Sequence, residues 1–279
     1  MTSICSTPVY NMTELKNLFI ELTAKNCNFR CKSCYINFPI SKNVKDFIPV
    51  DRIKEALIDT KDESLQCIYL TGAEPMTHPD FNTILRLCLK RCNVCICTNG
   101  SFLNEKKIRF LKKVEDETAN INSNQIFFRL SLTHFNEIEN DNAKYRGNFR
   151  QTVFSLKTLS NYNFNSVLAI QNYYNLDKEL IKFSFEKIFA DNNIKNTDLQ
   201  INNSYNSMSS DENITSSEKC DCMEGRCLGL KGVYACPFLS NDYRGRVGYD
   251  MKNYSKVFRA ETDFCMTCSQ NKNFIFSIG

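Results

Sequence analysis

Residues Leu18–Tyr35, LFIELTAKNCNFRCKSCY, decide how this chain is read. The run Leu18–Leu22 is short and apolar, as a buried strand requires. A polar loop follows, carrying Cys27, Cys31 and Cys34 at CX3CX2C spacing. Three thiolates on irregular backbone can each hold one iron of a cubane iron–sulfur cluster. The fourth iron then keeps an open coordination position, which separates a reactive metal site from a closed structural one.

The spacing occurs a second time, at Cys88, Cys92 and Cys95, and there it reads differently. Cys88 shares one helical face with Phe81, Ile84 and Leu85, and Cys95 lies inside the apolar run VCIC. These are expected to be small buried hydrophobes.

Outward from the first strand, apolar runs alternate with helical periodicity. CIYL (Cys67–Leu70), VCIC (Val94–Cys97), IFFRLSL (Ile126–Leu132), SVLAI (Ser166–Ile170) and LQI (Leu199–Ile201) give five further strands. Phe81, Ile84, Leu85 and Cys88 mark one helix between them. Phe149, Val153 and Leu156 mark a second, and Ile181, Phe185 and Ile188 a third. A Lys-rich helix is expected over Asn104–Lys113, with a solvated cationic face. Alternating strands and helices predict an α/β fold with a parallel sheet, here a partial (β/α)6 TIM-type barrel. Function then belongs at the C-terminal ends of the strands.

The 279 residues carry 15 cysteines, two histidines and no tryptophan, with a net charge of +4. The charge is too mild for a nucleic-acid footprint. No apolar run approaches the roughly 20 residues of a membrane span. The N-terminus lacks the regions of a secretion signal, so a reducing cytoplasm and metal ligation are expected rather than disulfides. His78 and His134 are expected in surface or packing roles. Residues 1–15 read as a tail, 16–204 as the barrel domain, 205–219 as a Ser/Asn-rich linker and 220–279 as a small C-terminal cysteine-rich module with few regular patterns.

The strand followed by CNFRCKSCY resembles the radical S-adenosylmethionine (SAM) superfamily, whose hallmark is CX3CX2C with an aromatic residue, here Tyr35, beside the last cysteine. Thr71-Gly72-Ala73-Glu74-Pro75 follows the second strand and resembles that family's GGEP segment, which contacts the amino group of SAM. Thr98-Asn99-Gly100 follows the third strand as a TNG segment does. Ser131 matches the position that reaches the SAM ribose, and Arg146-Gly147 resembles a downstream RG pair. Gln171 and Asn172 lie where further SAM contacts are placed. The resemblance implies a [4Fe–4S] cluster on Cys27, Cys31 and Cys34. It also implies cofactor contacts from Tyr35, Gly72, Ala73, Glu74, Pro75, Asn99, Ser131, Arg146 and Asn172. Electrons would come from a donor such as flavodoxin or ferredoxin.

Cys220, Cys222, Cys227, Cys236, Cys265 and Cys268 form a second cluster of cysteines. It resembles the SPASM and twitch extensions of radical SAM enzymes. The implied reading is one auxiliary [4Fe–4S] cluster on Cys222, Cys236, Cys265 and Cys268, with Cys220 and Cys227 competing for the first place. A four-cysteine zinc site stands as the alternative.

The resemblance implies an enzyme that reductively cleaves SAM to a 5′-deoxyadenosyl radical, which removes hydrogen from a substrate. A peptide substrate is favoured. A twitch-type dehydrogenase of small molecules, and a non-catalytic iron–sulfur or zinc redox protein, are the alternatives.

Overall fold

A computed structural model describes residues 9–32, 34, 36, 46–119, 121–203, 223–240 and 242–259. All six predicted strands form. They are β2 (Asn17–Thr23), β3 (Cys67–Gly72), β4 (Asn93–Thr98), β5 (Ile126–Leu132), β6 (Asn165–Asn172) and β7 (Thr197–Asn203), and a short β1 (Val9–Asn11) precedes them. Between them run α1 (Val50–Asp59), α2 (Phe81–Leu89), α3 (Glu105–Ala119), α4 (Glu137–Ala143), α5 (Asn148–Asn161) and α6 (Lys178–Asn192). β2 to β7 pair in sequence order, all parallel. Parallel neighbours need helical crossovers, and the αβ alternation supplies them.

Helix α3 continues six residues past the expected end at Lys113. Val114 and Thr118 extend its buried face, and Glu115 accepts the backbone N–H of Ile126 at 2.7 Å, tying the helix to the start of β5.

Strand residues alternate between two apolar environments. Leu18, Ile20, Leu22, Ile68, Leu70, Val94, Ile96, Phe128, Leu130, Leu168 and Ile170 face the helices in one large core. Their neighbours face the inside of the barrel. There Phe19 and Tyr69 stack at 4.5 Å, beside Cys227 and Tyr234. Cys95 and Cys97 pack with Cys67, Phe127 and Phe238. Burying each large apolar side chain contributes about 1.5–3 kcal/mol, so this two-sided burial is the main source of stability.

The C-terminal stretch, irregular by sequence, adds β8 (Gly225–Gly229), β9 (Gly232–Tyr234), β10 (Arg246–Gly248) and β11 (Val257–Arg259). β8 pairs parallel with β2, and β9 and β10 continue antiparallel, giving the order β10-β9-β8-β2-β3-β4-β5-β6-β7. β1 and β11 form a separate antiparallel pair. β10 and β7 are the two edges of the nine-stranded sheet, so the barrel is open. Strands of three to five residues are too short for a period of two to show in sequence. No helix among the described residues is long and apolar enough to cross a membrane.

Gly72, at the end of β3, has φ +124°, and a Cβ there would lie 2.3 Å from the carbonyl oxygen of Thr23. The Ala73 N–H donates to that same oxygen at 2.8 Å, so the two strand ends are locked together. Gly72→Ala is expected to lower stability by about 2–3 kcal/mol, from forced positive φ and the clash. The urea midpoint measures this, and a shift worth under ~0.5 kcal/mol would contradict it.

Candidate active site

The site is built at the C-terminal ends of β2 to β5, where parallel strands deliver their following loops to one rim. The loop after β2 is shaped by a buried knot. Asp46 accepts from the Thr23 hydroxyl and the Asn26 amide, each at 2.7 Å, and from the Ala24 N–H at 3.0 Å. Asn26 also donates its backbone N–H to the Thr23 hydroxyl. The Arg30 guanidinium closes the loop from outside, donating to the carbonyls of Cys27 at 2.7 Å and Phe29 at 2.6 Å. Phe29 stacks flat on Tyr145 at 4.8 Å, and the Lys32 N–H donates to the Ala143 carbonyl at the end of α4. Lys25, Asn26, Cys27, Asn28 and Arg30 line a pocket of about 230 Å³ at this rim.

Cys27, Cys31 and Cys34 are free thiols, each half-buried. They share one electrostatic neighbourhood: Cys27 feels Glu74, Cys31 and Cys34, and all three act on Lys144. Burial pushes the Cys27 thiol up to about 12 and the Cys34 thiol up to about 11. Two of the sulfurs already accept N–H donors. Phe29 donates to Cys27 Sγ at 3.3 Å, joined by the Asn99 amide at 3.7 Å, and the Ile36 backbone donates to Cys34.

Glu74 is fully buried and knits two loops. Its carboxylate accepts the Met76 N–H at 3.0 Å, the Asn99 N–H at 2.8 Å and the Thr98 hydroxyl at 2.8 Å. Burial raises it to about 7, while these donors and Lys144 pull it down. Its side-chain oxygens are therefore engaged within the protein. What the TGAEP segment turns toward the cysteine loop is backbone, with the Glu74 N–H donating to the Asn26 carbonyl at 3.0 Å. Pro75 is buried at the start of a single 3-10 turn.

Asn99 donates to the Asn28 side chain at 3.0 Å as well as to Cys27. Ser131 is buried at the end of β5, and both its hydroxyl and its carbonyl accept from the Lys144 ammonium, at 2.5 and 2.6 Å. Lys144 had no counterpart in the sequence reading. It is buried, and desolvation lowers its pKa while Cys31, Cys34, Cys27 and Glu74 raise it. Arg146, two residues on, is exposed. The only sequence signal for Lys144 was a lone lysine in the polar stretch DNAKYRG. Asn172 turns back on its own loop, bonding the N–H and carbonyl of Leu176. Tyr35 lies outside the described residues, as do Cys220, Cys222, Cys265 and Cys268. Cys236 is half-buried beside Tyr234, and Cys227 is buried within β8 against Phe19.

His78 is a packing residue. Its Nδ1 accepts the Asp80 N–H, which assigns the proton to Nε2, and that donates to the Ile48 carbonyl at 2.9 Å. Cys88 and Cys92 lie in the helix-side core, and Cys95 faces the barrel interior.

The sequence profile of the Radical SAM superfamily matches residues 22–182, over half of the chain and the whole stretch that builds this site. The chain belongs to the radical SAM superfamily. Two curated relatives, both GTP 3′,8-cyclases of Helicobacter pylori (strains HPAG1 and ATCC 700392 / 26695), are 32% and 31% identical over 101 residues. That is 35% of this chain, which spans about a third of the relatives' own length. Among solved structures, Streptococcus suis SuiB bound to precursor peptide SuiA superposes with a TM-score of 0.64 at 13% identity, covering 96% of this chain and 71% of that one. The structure of anSMEcpe with bound AdoMet superposes with a TM-score of 0.61 at 15% identity, covering 95% of this chain and 79% of that one. At these identities the likeness is one of fold.

The radical SAM cysteine loop fits a [4Fe–4S] cluster by the chemistry of its donors. Three free thiols converge on one rim, backbone and amide N–H groups already point at two of the sulfurs, and a buried cation stands nearby to offset thiolate charge. Among the described residues no three His, Cys, Asp or Glu side chains converge on a single ion. A cubane has no such requirement, because each thiolate takes its own iron.

A second carboxylate lies deeper. Glu21, on the barrel face of β2, is buried and accepts the Ser240 hydroxyl at 2.6 Å. Burial pushes it up to about 7. An unfolded glutamate ionises near pH ~4.3. The stability contributed by folded, protonated Glu21 is therefore fully present below that pH and is lost as pH rises toward 7, by on the order of 3 kcal/mol. Glu21→Gln is expected to flatten this part of the profile. Urea midpoints measured at several pH values test it, and parallel profiles for the two proteins would refute it.

Proposed function

We propose that this radical SAM enzyme holds a [4Fe–4S] cluster on Cys27, Cys31 and Cys34, cleaves SAM reductively, and acts on a peptide substrate in the cytoplasm. When bound, the cluster supplies the electron that splits SAM into methionine and a 5′-deoxyadenosyl radical able to remove a substrate hydrogen. The observation that carries the reading is the grouping of three free thiols on one rim within the electrostatic reach of a buried lysine.

The chain's own residues then have distinct tasks. Asn99 and the Phe29 N–H hold the Cys27 sulfur in place. Lys144 presents an ammonium between the thiols and Ser131, suited to the carboxylate of SAM. Glu74 positions the backbone of residues 72–75 and 98–100 around the amino group. The apolar and aromatic barrel lining excludes water from a reactive radical.

The peptide assignment is supported by the fold shared with SuiB, a protein solved with a precursor peptide. The proposal includes one auxiliary cluster, which Cys222, Cys236, Cys265 and Cys268 would hold and which would supply either an electron acceptor or an anchor for the substrate. Anaerobic reconstitution, followed by incubation with SAM and dithionite, tests the core of this reading. Release of 5′-deoxyadenosine is expected, with about eight irons per chain for two cubanes or about four for one. A fully loaded protein that yields no 5′-deoxyadenosine would end it.

A further inference from the structure

Most of the barrel interior is apolar or thiol-bearing, but one wall is not. Arg129 lies on the inner face of β5, between the helix-facing Phe128 and Leu130, with Cys97 of β4 and Val167 of β6 as its register neighbours. It is only 5% exposed. Its Nη2 donates to Gln200 Oε1 at 2.6 Å, and Gln200 Nε2 donates to Asn202 Oδ1 at 3.0 Å. Gln200 and Asn202 share the inner face of β7, since Leu199 and Ile201 pack on the helix side.

This chain of amides ends without closing. Arg129 Nε and Asn202 Nδ2 are buried and have no hydrogen-bond partner among the described residues, and the same holds for the Thr71 hydroxyl on the inner face of β3. No carboxylate pairs with Arg129 among the described residues. A buried guanidinium with an unmet N–H is costly, and so is a buried amide donor. Two of the three unmet groups can only donate. What they lack is an acceptor, and the guanidinium makes a negative one favourable.

We propose that Arg129, with Gln200 and Asn202, forms a subsite for a carboxylate of the substrate, so that the hydrogen to be removed is positioned by an acidic group seated below the SAM site. This rests on the radical SAM reading and adds a substrate class to it. A carboxylate fits better than a polyphosphate for reasons of charge. Arg129 offers one positive charge, its partners are neutral amides, and Glu21 and the thiols of Cys67, Cys95 and Cys97 face the same interior. A group with several negative charges would be left largely unmatched there. SAM is served separately, because Lys144 is the buried cation among the cluster thiols and Arg129 lies two residues before Ser131, deeper in the barrel.

The test is equilibrium binding to the anaerobically reconstituted full chain. The probes are N-acetyl-glutamate methylamide, its glutamine counterpart, glutarate, inorganic phosphate, GTP and SAM. Wild type is expected to bind the glutamate probe or glutarate and to ignore the glutamine probe; the first would place the carboxylate on a peptide side chain, the second on a small acid. Arg129→Met is expected to weaken that binding on the order of 100-fold, as loss of one partner of a buried charged pair does. SAM affinity should be unchanged. Asn202→Asp, nearly isosteric, puts a fixed carboxylate in the subsite and should also abolish probe binding, and it decides the matter if Arg129→Met does not fold.

Binding unaffected by both substitutions would overturn the proposal. So would binding of phosphate or GTP alone, binding of no probe at all, or a loss of SAM affinity in Arg129→Met. Arg129-dependent carboxylate binding in a protein that releases no 5′-deoxyadenosine would leave the subsite standing and remove the radical SAM reading. SAM cleavage with no such binding would do the reverse.

Discussion

Cys31→Ala is expected to lose about four irons per chain on reconstitution and to reduce 5′-deoxyadenosine release to background. Cys31 sits in the irregular loop between the Cys27 sulfur and Cys34, and its thiol acts electrostatically on both. Removing it leaves two ligands for a cubane that needs three. The matched control is Cys92→Ala, which breaks the second CX3CX2C. Cys92 is buried in the helix-side core. Its loss should cost about 1–2 kcal/mol of stability through lost packing, with iron content and product retained. Iron analysis and chromatography of the SAM products read both results. Full iron and activity in Cys31→Ala would remove the cluster from this loop, and loss of iron in Cys92→Ala would place it elsewhere.

Lys144→Met is expected to weaken SAM binding to the reconstituted protein on the order of 100-fold. The ammonium is buried, donates twice to Ser131 and lies within the field of three thiols and Glu74. With a cluster in place it would be a buried cation beside an anionic centre, so its removal should also shift the cluster's reduction potential to a more negative value. A purely structural lysine would change neither quantity. Equilibrium SAM binding and a spectroscopic redox titration measure the two effects, and Lys144→Arg, which keeps the charge, should recover part of each. Unchanged SAM affinity in Lys144→Met would leave Arg146 or a residue outside the described set as the carboxylate partner.

The six core strands were legible because their apolar runs are bounded by turn residues and separated by helices with clear periodicity. The cysteine loop was legible because its thiols sit on irregular backbone directly after a strand. The two CX3CX2C spacings separated on local periodicity, and Cys88 and Cys95 are indeed buried, one in the helix-side core and the other on the barrel side. Glu74 was legible as a special residue but not in its contacts. Its acceptors are filled by Met76, Thr98 and Asn99, whose approach depends on two loops meeting. Lys144 was invisible, since nothing in DNAKYRG says that its side chain turns inward to Ser131.

Periodicity and local spacing are properties of neighbouring residues, so the αβ alternation, the parallel order it requires and a loop of three closely spaced thiols after the first core strand were all readable from the chain. The pairing of β8 with β2, the shaping of the cysteine loop by Asp46 and the burial of Lys144 and Arg129 at two levels of one barrel emerge only in the folded chain. Those outcomes depend on residues far apart in the chain meeting across strand ends. Their energies come from desolvation and long-range hydrogen bonds, which no local pattern of residues encodes.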